Sequence, residues 1–182
     1  MRYKLFWAIR AVIYQPFFGR LTLSSYLGKP TYLKGTKRIF IDKKVRIFPH
    51  LRMETHFNGS IHIQEDVVIS QNVHITSAGK LLIGKKSLIL ANVFITNIDH
   101  HYQEIGRHVV EQEYMVKETV IGENCFIGMG AAIMAGTKLG KQCIVGANSV
   151  VRGEFPDYCV LAGAPARIIK KYDPNSGIWE KI

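Results

Sequence analysis

Aliphatic residues return every six positions along the C-terminal half of this chain. A small residue follows each of the first five after four further positions. The aliphatic residues are Ile121, Ile127, Ile133, Leu139, Val145 and Val151, and the small residues are Cys125, Ala131, Thr137, Cys143 and Ser149. Neither an α-helix nor an alternating strand has a period of six. A parallel β-helix built from hexapeptides does, with the aliphatic residue pointing inward.

The same period appears earlier in three interrupted triplets: Ile41, Ile47 and Met53; Ile63, Ile69 and Ile75; Ile83, Ile89 and Ile95. Three hexapeptides make one triangular coil, and every interruption falls after the third hexapeptide of a triplet. We therefore expect an all-β parallel β-helix of about five coils, with its insertions leaving from one corner.

This period divides the chain into three parts. Residues 1–35 are expected to form an N-terminal amphipathic helical extension. Residues 36–153 form the β-helix catalytic domain, from which a loop over residues 97–118 protrudes. Residues 154–182 form a C-terminal extension with a final strand and a short basic tail.

Positive charge is concentrated near the N-terminus. The net charge is +10, and eight basic residues precede the first acidic residue, Asp42. Residues 1–20 combine such charges with large apolar side chains, which favours a helix lying on an anionic membrane over a nucleic-acid surface. A helix that covers the open end of the β-helix, or that packs on a neighbouring subunit, is the alternative.

The N-terminal segment and the cysteines indicate the cellular compartment of the protein. The apolar run from Leu5 to Phe18 is too short to span a bilayer, and no signal-peptide pattern is evident. The three cysteines have no CxxC spacing, which indicates reduced thiols. We expect a cytoplasmic protein, peripheral on the inner face of the membrane if the helix binds lipid.

Four segments resemble the hexapeptide acyltransferases, and among them the sugar O-acetyltransferases. Residues 83–100 match the galactoside and maltose acetyltransferase pattern without a gap, and residues 121–128 resemble IGDNVWIG. Residues 146–151 resemble GAGSVV, and residues 163–167 resemble the closing G-x-P-A-[KR]. The resemblance covers roughly residues 60–171 and implies a left-handed β-helix.

The resemblance implies that His100 is the general base, because the family's catalytic histidine closes the third hexapeptide of a coil. Histidine suits proton abstraction from a hydroxyl near neutral pH. His101 is the alternative if the register differs by one residue. Asp99 could orient the imidazole or could be a turn residue. Glu113 lies near the position where sugar acetyltransferases carry a glutamate.

The resemblance also implies acetyl-CoA as co-substrate, with no metal required. Small residues on one side of the prism would let the pantetheine arm approach the backbone, and basic residues would meet the phosphates. The expected contacts are Gly128, Met129, Gly146, Ala147, Arg152, Arg167, Lys170 and Lys171. Two departures from the family are Phe126, where Trp is usual, and Arg152-Gly153, where Thr-Lys is common.

These features predict a homotrimeric O-acetyltransferase that acts by direct transfer on a sugar hydroxyl, in a surface polysaccharide or a lipid-linked precursor. One rival is an acetyltransferase that modifies the hydroxyl of a xenobiotic such as an antibiotic. A non-catalytic β-helix scaffold is another. A zinc enzyme similar to the γ-class carbonic anhydrases is disfavoured, because the His-x4-His pair of that family is missing.

Overall fold

The computed structural model describes the chain from Arg2 to Ile182, with side chains from Lys4 onward. One helix, α1 (Arg2–Tyr14), precedes the strands, and short 3-10 turns occupy Gln15–Phe17, Thr36–Arg38 and Val109–Glu111. The strands in chain order are β1 (Arg20–Leu21), β2 (Tyr26–Leu27), β3 (Tyr32–Lys34), β4 (Ile39–Ile41), β5 (Arg46–Ile47), β6 (Arg52–Thr55), β7 (Ser60–Ile63), β8 (Val68–Ile69), β9 (His74–Ser77), β10 (Lys80–Ile83), β11 (Leu88–Ile89), β12 (Phe94–Thr96), β13 (Ile98–His100), β14 (Tyr114–Val116), β15 (Thr119–Ile121), β16 (Phe126–Ile127), β17 (Ala132–Ile133), β18 (Lys138–Leu139), β19 (Ile144–Val145), β20 (Val150–Val151), β21 (Glu154–Phe155), β22 (Cys159–Gly163), β23 (Ala166–Asp173) and β24 (Ile178–Lys181).

Three parallel sheets form the sides of a triangular prism. Sheet A has the order β1-β4-β7-β10-β15-β18-β21, and sheet C has the order β3-β6-β9-β12-β17-β20. Sheet B has the order β2-β5-β8-β11-β16-β19-β22 and ends in the antiparallel strands β23 and β24. Because the chain passes from A to B to C and back to A, the fold is a parallel β-helix, and the all-β prediction is confirmed.

The prism has more coils than the sequence pattern suggested. Sheet A contains seven parallel strands and sheet C six, so the expected number of about five coils was too low. The first coil spans residues 20–34, within the expected N-terminal extension, and its inward positions are Leu21, Leu27 and Leu33. The last, incomplete coil contains Phe155 and Leu161, beyond residue 153. It escaped detection because Phe155 follows Val151 after four residues and breaks the six-residue period.

Variation in coil length is confined to one corner, as predicted. Inward residues are always six positions apart from sheet A to sheet B and from sheet B to sheet C. From sheet C back to sheet A, the separation ranges from four residues after Val151 to twenty-six after Ile95. We call this variable position the C–A corner, and the turn that precedes each sheet C strand the B–C corner.

The N-terminal helix covers the open end of the prism. Backbone N–H groups of one coil donate to carbonyls of the next, as from Tyr26 to Val45 at 3.0 Å, so the carbonyls of the first coil have no strand to accept from. Arg10 of α1 donates from Nη1 to one of them, the Leu27 carbonyl, at 3.2 Å. Ala11 and Phe18 are buried against the same end of the core. The covering role that the sequence left as an alternative is therefore real for this side of the helix.

The opposite side of α1 is exposed and apolar. We call it the outer face of α1, and its members are Leu5, Phe6, Ile9, Val12 and Ile13, all of them exposed. In the described part of the chain, no helix has the length and apolarity needed to cross a bilayer.

Glycines that directly follow inward residues show how closely the backbones of successive coils approach. A Cβ at Gly122 would lie 2.3 Å from the backbone oxygen of Gly140, whereas a Cβ at Gly146 would come no nearer than 3.3 Å to its neighbours. We predict that Gly122→Ala lowers the free energy of unfolding by about 1–3 kcal/mol, because the clashing atom is backbone. Gly146→Ala is the matched control with a smaller loss. Urea denaturation measures both, and equal losses would contradict the argument.

Candidate functional site

A β-hairpin projects from the C–A corner after the fourth coil. Strands β13 and β14 pair antiparallel within the segment 97–118, and His100 lies opposite Tyr114. Asn97 anchors the base of the hairpin: it is fully buried, donates from Nδ2 to Ser77 Oγ at 3.0 Å and accepts from the backbone N–H of Ala78 at 2.9 Å. The hairpin is therefore attached to the rigid prism at the position where His100 leaves it.

The His100 imidazole is exposed and stacks edge-on against the ring of Tyr114, with ring centroids 4.7 Å apart. Asp99 does not bind the imidazole. Its Oδ1 accepts from the backbone N–H of His100 at 3.0 Å, and its Oδ2 accepts from Arg152 Nη1 at 2.7 Å. This hydrogen bond from Arg152 is the main cause of the lowered pKa of Asp99. Asp99 thus fixes the backbone at His100 and leaves the ring available to a ligand.

His100 lies on the rim of a cavity of about 340 Å³. Polar groups occupy part of its wall and aromatic or aliphatic side chains occupy the rest. The lining residues are His56, Thr76, Phe94, Thr96, Ile98, Asp99, His100, Tyr114 and Met134. A cavity of this size and mixed chemistry suits one small polar molecule with an apolar face.

Three lining residues of the cavity, Thr76, Thr96 and Met134, belong to a single row on sheet C. Each member of the row directly follows an inward residue, and the row comprises Glu54, Thr76, Thr96, Met134 and Arg152. Sequence reasoning did not identify Glu54, Thr76 or Thr96 as site residues. The sequence did contain the information needed. Once the inward residues of successive coils are aligned, the residues that directly follow them on sheet C form this row.

A buried carboxylate lies at one end of this row. Glu54 is 6% exposed, and its Oε1 accepts from Arg52 Nε at 2.8 Å and from His74 Nε2 at 3.1 Å. The other oxygen, Oε2, lies 3.4 Å from Nε2 of His56. Burial opposes ionisation of Glu54, but the hydrogen bonds from Arg52 and His74 and the charges of Arg52 and His56 outweigh it. The pKa of Glu54 is therefore lowered, and the carboxylate is charged at neutral pH.

His101 and Glu113 lie in a different hollow from His100. Both line a space of about 210 Å³ within the hairpin, together with Gln103, Glu104 and Gln112. The Nδ1 atom of His101 lies 3.1 Å from Gln103 Oε1. Because neighbouring residues of a strand point to opposite faces, His100 and His101 cannot both serve the larger cavity.

The expected CoA contacts lie mostly at the B–C corner. Gly128 and Gly146 directly follow inward residues of sheet B in consecutive coils, and Ala162 follows in the next. Ala162 pairs with Arg167 on β23, so the row of small residues ends beside a guanidinium. Met129 and Ala147 are exposed next to this row, and Lys170 and Lys171 are exposed further along β23. Arg152 stands apart, at the C–A corner with Asp99.

The three thiols are structural. Cys125, Cys143 and Cys159 are buried, and the Cys143 and Cys159 sulfurs lie 3.4 Å apart inside the prism. Burial raises the pKa of Cys159 to about 12. Within residues 2–182, no group of three or more His, Cys, Asp or Glu side chains is arranged to hold a metal ion.

Comparison with known proteins links this architecture to a family. Residues 118–153 match the bacterial transferase hexapeptide (six repeats) family. WbbJ of Escherichia coli strain K12, assigned the role of an O-acetyltransferase in lipopolysaccharide biosynthesis, is 33% identical over 159 residues. That alignment covers 84% of this chain and 81% of WbbJ.

Two solved structures have a similar fold. AntD, an N-acyltransferase from Bacillus cereus in complex with dTDP and 3-hydroxybutyryl-CoA, gives a TM-score of 0.77 at 15% identity, covering 92% of this chain and 90% of AntD. Galactoside acetyltransferase in complex with coenzyme A gives 0.62 at 21% identity, covering 92% of this chain and 72% of the other. At these identities the similarity concerns the fold.

Proposed function

The chain belongs to the family of bacterial hexapeptide-repeat acetyltransferases, and we propose that it moves the acetyl group of acetyl-CoA to a sugar hydroxyl. The acceptor is a surface polysaccharide or its lipid-linked precursor, and the reaction takes place in the cytoplasm. The observation that carries this proposal is the exposed His100 imidazole on the rim of a cavity with mixed polar and aromatic walls.

His100 acts as the general base. Its imidazole takes the proton of the acceptor hydroxyl while that oxygen attacks the thioester carbonyl. The carbon–sulfur bond then breaks, and the proton passes from the imidazolium to the departing thiolate of CoA. Asp99 and Arg152 hold the backbone at His100, which keeps the imidazole over the cavity. Glu113, in the separate hollow with His101, has no direct part in this step.

Acetyl-CoA lies along the row of small residues at the B–C corner. Gly128 and Gly146 leave the backbone accessible to the pantetheine arm, and Met129 and Ala147 flank it. Arg167 is at the end of the row, where its guanidinium can pair with a phosphate, and Lys170 adds charge nearby. Arg152 contributes to the His100 side of the site instead.

The donor and the base of one chain lie on different corners, which supports a site shared between subunits. Each sheet C strand runs from the B–C corner to the C–A corner. Successive corners of a coil are about six residues apart, which is about 20 Å of extended chain. In a ring of three chains, the B–C corner of one subunit faces the C–A corner of the next. The thioester then meets the His100 of a neighbour.

The outer face of α1 supports peripheral contact with an anionic membrane. Lys4 is exposed on the same helix, and no acidic residue precedes Asp42. Arg10 and Arg20 contribute less than their charge suggests, since Arg10 holds the Leu27 carbonyl and Arg20 pairs with Asp42 at 2.5 Å. The Arg2 side chain lies outside the described residues.

Apolar burial dominates this contact. A large apolar side chain contributes about 1.5–3 kcal/mol when fully buried, against about 1 kcal/mol for a basic residue near an anionic surface. Binding through the five residues of the outer face should therefore weaken with salt but persist in it.

We predict that His100→Ala lowers kcat by about 10²–10⁴-fold, the usual contribution of a general base. The KM for acetyl-CoA should change little, because His100 is not among the residues proposed to hold CoA. Release of free thiol with a sugar acceptor measures both values. His101→Ala is the matched control and should retain activity. Full activity in His100→Ala, with loss in His101→Ala, would show that the base is the other histidine.

A second prediction tests the shared site by complementation. Ala147→Trp blocks the donor row on an exposed position, and His100→Ala removes the base, so each homotrimer should be inactive. Trimers reassembled from an equal mixture should regain activity at about a quarter of their sites, since each site takes one corner from each neighbour. Mixed trimers that stay inactive would contradict the shared site. So would an active enzyme that light scattering shows to be a monomer.

A third prediction concerns the membrane. The full chain should sediment with vesicles that contain anionic lipid, and the triple change Leu5→Ser, Ile9→Ser and Ile13→Ser should reduce this binding at least tenfold, since each serine removes about 1.5–3 kcal/mol of apolar burial. These residues are exposed, so the covering of the prism by Arg10 and Ala11 is preserved. The matched control replaces three exposed apolar residues of the hairpin tip by serine: Ile105, Val109 and Val110. Equal binding by both triple variants would contradict the membrane contact.

A further inference from the structure

We infer that His56 binds a second hydroxyl of the acceptor sugar, next to the one that His100 deprotonates, and thereby selects which sugar is acetylated. Glu54 is the residue that positions His56. The inference rests on the proposed sugar acetylation and adds to it a specificity-determining residue from the second coil, far from His100 in the sequence.

The two histidines face one cavity. His56 follows strand β6 at the C–A corner of the second coil, and His100 belongs to the hairpin that leaves the same corner two coils later. Aromatic rings connect the two histidines, beginning with Phe57, whose ring lies 6.5 Å from that of His56. The ring of Phe57 lies 5.8 Å from that of Tyr114, and Tyr114 lies 4.7 Å from His100. The hairpin therefore folds back towards the second coil and encloses the space between the two imidazoles.

Glu54 determines which nitrogen of His56 is presented to the ligand. The carboxylate is charged, 6% exposed and 3.4 Å from Nε2 of His56. A nitrogen that faces a buried carboxylate carries the proton, which leaves Nδ1 of the neutral ring as an acceptor. Nδ1 can accept from a sugar hydroxyl, and in the protonated ring it can donate to one. A residue held in this way can bind a hydroxyl without serving as the base.

The cavity chemistry fits one sugar ring. The lining combines the hydroxyl of Thr76 with the apolar surface of Phe94, Ile98 and Met134. A pyranose combines the same two chemistries, with hydroxyls at its edge and C–H groups on its faces. The volume of about 340 Å³ is near the lower limit for small-molecule pockets, which favours a single ring over a larger ligand.

His74 provides a matched comparison within the same network. It contacts the same carboxylate through Nε2 at 3.1 Å, but its ring packs at 5.1 Å from Phe94 and it is not part of the cavity lining. Arg52 still donates to the same oxygen of Glu54 when His74 is replaced, so a change at His74 leaves the carboxylate paired and removes no group that faces the acceptor. If the network were only structural, changes at the two histidines would have the same effect.

The experiment measures steady-state acetylation, by the intact chain, of a panel of monosaccharides, short oligosaccharides from surface polysaccharides, lipid-linked saccharides and single-deoxy analogues. We expect His56→Ala to raise the acceptor KM by about 10–100-fold, the effect of leaving one enclosed sugar hydroxyl without its partner, with kcat and the KM for acetyl-CoA little changed. His56→Asn, which keeps a polar atom near Nδ1, should restore part of the affinity. His74→Ala should leave the acceptor KM close to that of the wild type.

The deoxy analogues identify the hydroxyl that His56 binds. One analogue should be a poor acceptor for the wild-type enzyme and no worse than the parent sugar for His56→Ala. An unchanged acceptor KM in His56→Ala, equal effects at His56 and His74, or a fall in kcat as large as that of His100→Ala would each overturn the inference. Wild-type enzyme that acetylates no sugar in the panel would instead refute the proposed function, and the inference with it.

Discussion

Stacking in register is the constraint on which the whole molecule depends. The N–H groups of each coil donate to carbonyls of the next, and the inward aliphatic residues lie in buried columns between the three sheets. Two sides of every coil therefore keep a length of six residues, and additional chain can leave only at the C–A corner. The hairpin that carries His100 is the largest such departure, so the position of the site is a consequence of how the coils stack.

The same stacking assembles the polar groups around the cavity. Residues of successive coils lie about 4.8 Å apart, which brings Arg52, Glu54 and His74 into one hydrogen-bonded group. A carboxylate as buried as Glu54 would be costly without partners. The second charged pair, Asp99 with Arg152, holds the far side of the cavity in a more exposed setting, where such a pair contributes at most about 1 kcal/mol.

A β-helix has two open ends, and in this chain different elements cover them. At the N-terminal end, Arg10 satisfies a free carbonyl while Ala11 and Phe18 close the core. At the C-terminal end, β23 and β24 continue sheet B as an antiparallel hairpin and bring Arg167 beside the row of small residues. Both additions protect strand edges that would otherwise invite pairing with other chains. Both also carry groups that the proposed function uses.

The six-residue period determined the fold and the corner from which insertions leave, because a buried column tolerates only apolar residues at a fixed spacing. The proposal of His100 as the base came instead from the resemblance to the hexapeptide acyltransferases. The first coil keeps the period through Leu21, Leu27 and Leu33 but was assigned to the N-terminal extension, and the last coil was missed because its shortened corner breaks the period. The period also left His56 unnoticed, since this residue lies past its strand at the corner where the coils differ in length. Glu54 directly follows Met53 and was readable from the period, but it was not recognised.

The tertiary structure alone decided which neighbours share a site. Alternation along the hairpin places His100 with Tyr114 at the large cavity, and His101 with Glu113 in another hollow. It also gave α1 two apolar sides, one buried and one exposed, which the sequence could describe only as amphipathic. Contacts between residues distant in the chain depend on packing distances, and no local pattern of residue types encodes those distances.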